Sequence, residues 1–397
     1  MSRTPVVTYG LMTAVLASGY GVMFTVLDDF RDEYGIEEYW LGAVVGVGFL
    51  ASFVAQIALA PLADRGHARR LVLWGLALNV VGLLGMAFGE VVSVLLAARF
   101  VMGIGVGMAT PAVRRIVINL DPQNLGNNLG LLLACDVAGF AAGPAVSAIM
   151  VPALGIPAPF LVIAGATAAA VPIVLRTHVV EARDAPTQHR FAFDLLRSRP
   201  LVAGLMLGAA LFMMIGAFDA LWAIVLDDLG AADWIANVGI TFFALPLIFL
   251  GSFGGRLAQR VGPFRLGPLG LTLGAAFMFS YGFVPTGAAM LAVGIVHALC
   301  DGFTVSSAAV GVGMVAPAER QASAQGMLGA AETLVAGITA VLAGVLYSWG
   351  GRALAFTTCS VVMVLLSAGA WFLAGPEARA RRGETGAAPE QRAGAVA

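Results

Sequence analysis

Four carboxyl groups stand inside long apolar stretches of this sequence: Asp136, Asp219, Asp301 and Glu332. A carboxylate facing lipid at a bilayer centre costs about 2.5–3.5 kcal/mol, so each is expected to face protein or water. Burial raises a carboxyl pKa and a nearby cation lowers it. A group placed between those two effects can hold a proton when facing one side of a membrane and release it to the other, which is what a proton carrier needs. The plainer alternative is that these acids only hydrogen-bond helix to helix. Two basic groups share the apolar surroundings. Arg99 cannot deprotonate, so it needs an acid, carbonyl groups or water, or must snorkel outward. His297 lies one helical turn before Asp301 on the same face, so a proton-exchanging pair competes with an ordinary hydrogen-bonded core histidine. Among the acids Asp136 is the first choice of carrier, then Glu332, then Asp301. Asp219, near Trp222, is the one that could instead touch a cationic or polar substrate.

The elements that must hold these groups are helices of membrane length. Asp136 sits in residues 129–150, LGLLLACDVAGFAAGPAVSAIM, long enough to cross a bilayer, which takes ~20 apolar residues. Gly139 and Gly143 share its helical face and form a small-xxx-small ridge that ends at the Pro144 kink. Glu332 occupies a matching place in residues 325–347, 196 positions later, and Gly326 lies 196 positions after Gly130. The composition agrees. The chain of 397 residues is 59% hydrophobic and 11% charged, with a mean hydropathy of +0.91, against ~25% charged for soluble domains. The net charge of −1 and the lack of any basic block give nucleic acid no footing. The three cysteines, Cys135, Cys300 and Cys359, all fall in apolar runs and read as reduced packing residues.

Twelve apolar runs separated by polar punctuation predict helices at 7–27, 40–61, 71–88, 91–113, 128–150, 159–176, 200–226, 235–255, 266–284, 288–315, 326–348 and 353–375. The first reads as a retained helix rather than a cleaved signal. The chain has no lysine, and all but three of its 22 basic residues fall on one side of this topology. Arg31 and Arg352 are on the other side and Arg99 is within the membrane, so both termini are expected in the cytoplasm. The halves repeat. Val26-Leu27-Asp28-Asp29 ends the first span and Val225-Leu226-Asp227-Asp228 the seventh; the end of the second span, from Ala60, returns at Gly255 at the end of the eighth. The repeat is parallel, about an axis along the membrane normal. The expectation is an all-α integral membrane protein of twelve transmembrane helices in two pseudo-symmetric six-helix bundles, 1–176 and 200–375. Residues 177–199 form a cytoplasmic linker whose stretch HRFAFDLLRSR is either a short helix on the membrane surface or a solvated tether. Residues 376–397 form a disordered tail.

Three local patterns resemble the major facilitator superfamily, and the resemblance covers nearly the whole chain. Ala60-Pro61-Leu62-Ala63-Asp64-Arg65-Gly66-His67-Ala68-Arg69-Arg70 is similar to its motif A, with Ala60 where glycine is usual. Arg99-Phe100-Val101-Met102-Gly103-Ile104-Gly105-Val106-Gly107 is similar to motif B. Gly139-Phe140-Ala141-Ala142-Gly143-Pro144 is similar to motif C of the twelve-helix drug:proton antiporters, with Ser147-Ala148 replacing the closing glycine pair. The resemblance implies that Asp64 meets the positive end of the eleventh helix and nearby arginines, latching an inner gate. The competing reading is that Arg65, Arg69 and Arg70 merely fix topology. The second copy carries Gln259 beside Arg260, so the two latches are expected to be unequal. The resemblance also implies a coupling role for Arg99, close helix packing at Gly103, Gly107, Gly139, Gly143 and Pro144, and a cavity walled by the first, fourth, seventh and tenth helices. Tyr20, Phe24, Met213, Met214, Phe218 and Trp222 would then suit an adaptable apolar ligand, while each taken singly reads as simple packing.

The function expected from these residues is secondary transport by alternating access, foremost proton-coupled efflux of an apolar or amphipathic compound from the cell. The alternative is a proton symporter or uniporter for a small metabolite such as an organic anion or sugar. An enzyme is not expected: the four histidines form no metal-ligand cluster, and no P-loop or nucleophile triad occurs. No cofactor is expected beyond a proton gradient. The expected partners are the lipid bilayer, protons and a small-molecule substrate, with the chain acting as a monomer.

Overall fold

Apolar runs of this length can satisfy their backbone only as helices inside a bilayer. The computed structural model describes residues 4–177 and 191–383, and these contain helices and no strand. The side chain of Phe24, the linker residues Arg183 and Arg190, and residues 384–397 lie outside the described residues. The first half comprises α1 (Thr4–Thr25), a short outer α2 (Leu27–Tyr34), α3 (Glu38–Leu62), α4 (Ala68–Phe88), α5 (Val92–Leu120), α6 (Leu125–Leu154) and α7 (Pro157–Arg176). The second comprises α8 (Arg199–Asp228), α9 (Asp233–Val261), α10 (Pro263–Tyr281), α11 (Gly287–Thr304), α12 (Ser307–Val315) and α13 (Gln321–Ala380). Among the described residues these supply twelve membrane passages, because α13 holds two of them. It turns sharply at Gly350 and Gly351, the latter at φ 65°, ψ −166°, a conformation closed to residues with a Cβ.

The two halves pack alike. α1 lies on α6, α3 on α5 and α4 on α7; in the second half α8 lies on the first passage of α13, α9 on α11 and α10 on the second passage. Across the seam between halves, α6 meets α9 and α3 meets α13. The seam is sealed at the arginine-rich end, where one apolar cluster draws Leu71, Ile116 and Leu125 from the first half and Ala258, Val310 and Met314 from the second. Toward the acid-rich end, Gly42 and Gly46 of α3 and Gly337 and Gly344 of α13 have open space where a Cβ would stand. The halves are therefore clamped at the arginine-rich end, and the packing of α3 and α13 is more open toward the other.

Two expectations need correction. The tenth span, expected as one helix over 288–315, breaks between Thr304 and Ser307. Hydroxyl side chains there compete for backbone groups: Thr304 donates to the Cys300 carbonyl and Ser306 reaches across to the Gly251 carbonyl (3.3 Å). Of the two readings of the linker stretch, the short helix is the one found among the described residues, with Phe193 and Leu196 exposed on its outer side. Ala192–Arg197 forms a 3-10 turn that buries Ala192 and Leu195 against the second half and joins Asp194 to Arg320 by two hydrogen bonds of 2.8 and 3.0 Å. The tail begins later than expected. α13 continues to Ala380, Arg381 donates to the Met314 carbonyl (3.1 Å) and the Gly383 N–H to the Gln259 carbonyl (2.9 Å).

Close approach explains the glycine ridges. A Cβ on Gly139 would overlap the carbonyl of Ala14, and one on Gly143 the backbone of Gly21 and Val22, so α6 touches α1 backbone to backbone. Gly103 and Gly107 bring α5 equally close to Gly48 and Ser52 of α3. Gly139→Ala is expected to lower the midpoint of thermal unfolding in detergent, at a cost of about 1–3 kcal/mol from overpacking. Gly165→Ala, which enters open space on α7, is expected to leave it level or raise it. Equal behaviour of the two variants would show that the ridge is not a packing constraint.

Candidate functional site

The polar groups of the interior gather at three levels along the seam. At the arginine-rich end, the turn after α3 swings through Gly66 (φ 81°, ψ 21°) and leaves Asp64 fully buried. Its Oδ1 accepts from the Ala322 N–H (2.9 Å) and from Arg115 Nε (3.1 Å), and its Oδ2 from the Ser323 N–H (2.8 Å). Ala322 and Ser323 open α13, where the first four N–H groups lack intrahelical partners and the dipole favours an anion. One carboxylate thus holds the two halves together. The repeat-related contact is neutral. Gln259 accepts from the Gly126 N–H (2.7 Å) at the start of α6 and donates to the Gln123 carbonyl (2.9 Å), and Arg256 adds a bond to Asn127 Oδ1 (2.5 Å).

The cation on Asp64 is Arg115, not one of the arginines singled out from the sequence. Arg69 donates to the Leu175 carbonyl, while Arg70 and Arg260 are exposed. Arg115 escaped notice because the fourth span was closed at residue 113, ahead of its paired arginines. The helix runs on to Leu120, so Arg114 and Arg115 lie on helical faces inside it.

One level further in, Arg114 leaves the first half and reaches the second. Its Nη1 stands 3.4 Å from Gln325 Oε1 and 3.9 Å from Glu332 Oε2, the latter too long for a hydrogen bond. Asp136 lies near enough for Arg114 to act on both acids, and for the two acids to act on one another. The two repeat-related acids therefore face a shared arginine, one from each half. Glu332 is buried, whereas Asp136 is exposed. Beside them Gln56 Nε2 contacts Thr333 Oγ1 across the seam (3.3 Å).

The third level lies inside each half. Arg99 is fully buried with its guanidinium carbon 3.9 Å from the centre of the Tyr20 ring, a cation–π contact. None of its three nitrogens has a hydrogen-bond partner among the described residues. Its repeat counterpart His297 is also fully buried. Its Nδ1 pairs with the Tyr281 hydroxyl (3.0 Å), and its Nε2 stands 3.4 Å from Asp301 Oδ2. The ring stacks on Phe277, with centroids 4.9 Å apart. Tyr281 was not singled out from the sequence, since it is uncharged and lies near the end of the ninth span. Asp219 is exposed on α8. The expected wall residues Met213, Met214, Phe218 and Trp222 lie in the packed core of the second half. There Phe218 stacks on Trp222 and contacts Phe243 and Tyr281, so in this conformation they form no open wall. Tyr20 is likewise buried beneath Arg99.

The comparisons with known proteins agree with this architecture. The sequence profile of the Major Facilitator Superfamily matches residues 9–236 and 216–397, and the chain belongs to that family. It is accordingly a multi-pass membrane transporter and not an enzyme. Its fold is similar to the proton:xylose symporter XylE (TM-score 0.76, 13% identity, 97% of this chain and 98% of that one). It is also similar to FucP in the outward conformation (0.74, 14%, 94% and 98%) and to the human organic anion transporter MFSD10 (0.73, 14%, 94% and 100%). By sequence it is similar to the 4-hydroxybenzoate transporter PcaK of Pseudomonas aeruginosa, 33% identical over 126 residues. It is also similar to the quinolone resistance protein NorA of Staphylococcus aureus, 27% identical over 133 residues. These matches span about a third of this chain and 28% and 34% of those relatives.

Removing one partner of a buried charge pair costs about 3–5 kcal/mol. Asp64→Asn is therefore expected to part the arginine-rich end in a measurable fraction of molecules. Spin labels on His67→Cys and Glu319→Cys, both exposed there, should gain a longer-distance population in double electron–electron resonance. An unchanged distance distribution would show that Asp64 does not hold the seam.

Proposed function

We propose that the chain is a proton-coupled exporter of apolar or amphipathic small molecules. The observation that carries this reading is the pair of repeat-related carboxyl groups, Asp136 and Glu332, set around Arg114 on the seam. While Glu332 is ionised it attracts Arg114 and draws the halves together. A proton on Glu332 removes that attraction and favours parting of the arginine-rich end. Asp136, which is exposed, is the entry point for the proton and the first to exchange it. His297 with Asp301, and Arg99 on Tyr20, are the groups that reset within each half as the halves rock about the midplane. Quinolone resistance in NorA is consistent with efflux of such compounds. By the arginine bias the sealed end is cytoplasmic, both termini lie there, and the membrane is the cell membrane. The proton gradient is the energy source, no resident cofactor takes part, and the monomer is the working unit.

A second reading, import of an organic anion with protons, is favoured by one observation: the buried Arg99 has no carboxylate among the described residues. The likeness to the 4-hydroxybenzoate transporter points the same way. Reconstitution in vesicles under an imposed proton gradient separates the two, because export runs against the proton flow and import with it. In either case Asp136→Asn and Glu332→Gln are expected to weaken coupling by about 5- to 150-fold, the range of a coupling energy of 1–3 kcal/mol. Proton movement unchanged in both variants would refute the carrier assignment.

A further inference from the structure

The start of α10 and the end of α13 enclose a cleft of about 580 Å³ on the flank of the second half, lined by Arg265, Leu269, Trp371, Pro376 and Arg379. The chain turns into α10 through Gly262, where an added Cβ would stand 3.1 Å from the Arg379 carbonyl and 3.4 Å from that of Arg381, so the two ends are packed together and the cleft is part of the fold. Arg379 is fixed in place. Its Nε donates to the Gly375 carbonyl (3.0 Å) and its guanidinium carbon stands 4.4 Å from the centre of the Trp371 ring. Neither Arg265 nor Arg379 has an ion pair among the described residues, and the neighbouring Glu377 bonds to neither through its side chain. Two guanidinium groups without a counter-ion therefore share one cleft. Deeper in the membrane the wall turns apolar: Leu269 lies one turn beyond Arg265, and Leu269, Leu273 and Phe372 are exposed on this flank.

We propose that this cleft binds the phosphate of an anionic phospholipid from the adjoining leaflet. The chemistry required is an anionic phosphate at the level of the arginines with an apolar body running past Leu269 and Phe372. Arginine forks match phosphate oxygens two at a time, and a tryptophan at the boundary carries both an apolar face and a polar edge. Basic clefts between helices at a membrane surface bind lipid headgroups on these grounds. A free phosphate satisfies the arginines and leaves the apolar wall unused, which is why the lipid is the occupant chosen here. The site depends on the fold alone and stands or falls apart from the proton-coupling reading.

The test uses the full-length protein, stripped of lipid in detergent and titrated with phosphatidylglycerol or phosphatidylcholine, with bound lipid read by native mass spectrometry. Phosphatidylglycerol is expected to be retained in preference, and Arg265→Ala and Arg379→Ala are each expected to weaken it about fivefold. Arg382→Gln, which removes an exposed charge outside the cleft, is expected to leave it unchanged. Arg265 is itself exposed, so its variant carries the test should Arg379→Ala unfold. Retention equal to that of the parent protein in the cleft variants would overturn the proposal, and so would equal weakening by Arg382→Gln. Full displacement by inorganic phosphate would also overturn it, assigning the cleft to a soluble anion.

Discussion

A charge withdrawn from water must be met by other charges or by hydrogen bonds, and in this protein the meeting runs across the boundary between two halves. Asp64 is held by Arg115 of its own half and by the N–H groups of Ala322 and Ser323 of the other. Separating the halves strips two of its three donors. The carboxylate then needs water in their place, so the sealed end can open only as it is wetted. The apolar cluster at the same end adds to the resistance, because opening it to water exposes surface that burial had withdrawn.

Duplication placed the same parts twice and divergence gave them unequal chemistry. Gln259 stands where the repeat would put a second Asp64, and it makes the corresponding contact with the start of α6 as a neutral amide. Hydrogen bonds to an ionised group are about twice as strong as neutral ones, so a buried carboxylate latches the α3–α13 side, whereas the α6–α9 side relies on a neutral amide and on glycine backbones in close contact. The same division appears deeper in. The first half buries a permanent cation, Arg99, on the Tyr20 ring. The second buries a titratable ring, His297, between Tyr281 and Asp301. Asp136 is exposed while Glu332 is covered.

The architecture was legible in the sequence because bilayer thickness imposes a length on every apolar run, and because offsets such as that between Asp136 and Glu332 survive duplication. What escaped was set by tertiary contact. Arg114 and Arg115 looked like the edge of a span, since charge is the usual sign that a helix has left the membrane; here the helix carries both into a protein-lined seam. The break after Thr304 depends on a partner carbonyl at Gly251 that no local pattern reveals. Phe218 and Trp222 read as cavity wall by their place on the seventh span, but mutual stacking drew them into the core. The glycine ridges were readable as close packing, though only the coordinates say which backbone they touch.

The adjacency of Arg114 and Arg115 ties these observations together. Successive residues on a helix point about 100° apart, so one rigid segment of α5 aims Arg115 at Asp64 and Arg114 at Gln325 and Glu332. All the partners across the seam, Gln325 and Glu332 as well as Ala322 and Ser323, belong to one segment of α13. The Asp64 bonds to Ala322 and Ser323 and the Arg114 contacts with Gln325 and Glu332 end on that one segment, so neither set can lengthen far without moving it and straining the other. Glu332 lies 3.9 Å from Arg114, loosely enough for its charge state to matter to the position of the pair, whereas Asp64 is fully bonded and supplies the resistance. A titratable group next to a rigid latch on shared helices is a physical means by which a single proton can bias a whole-domain movement. No separate relay through the bundles is required.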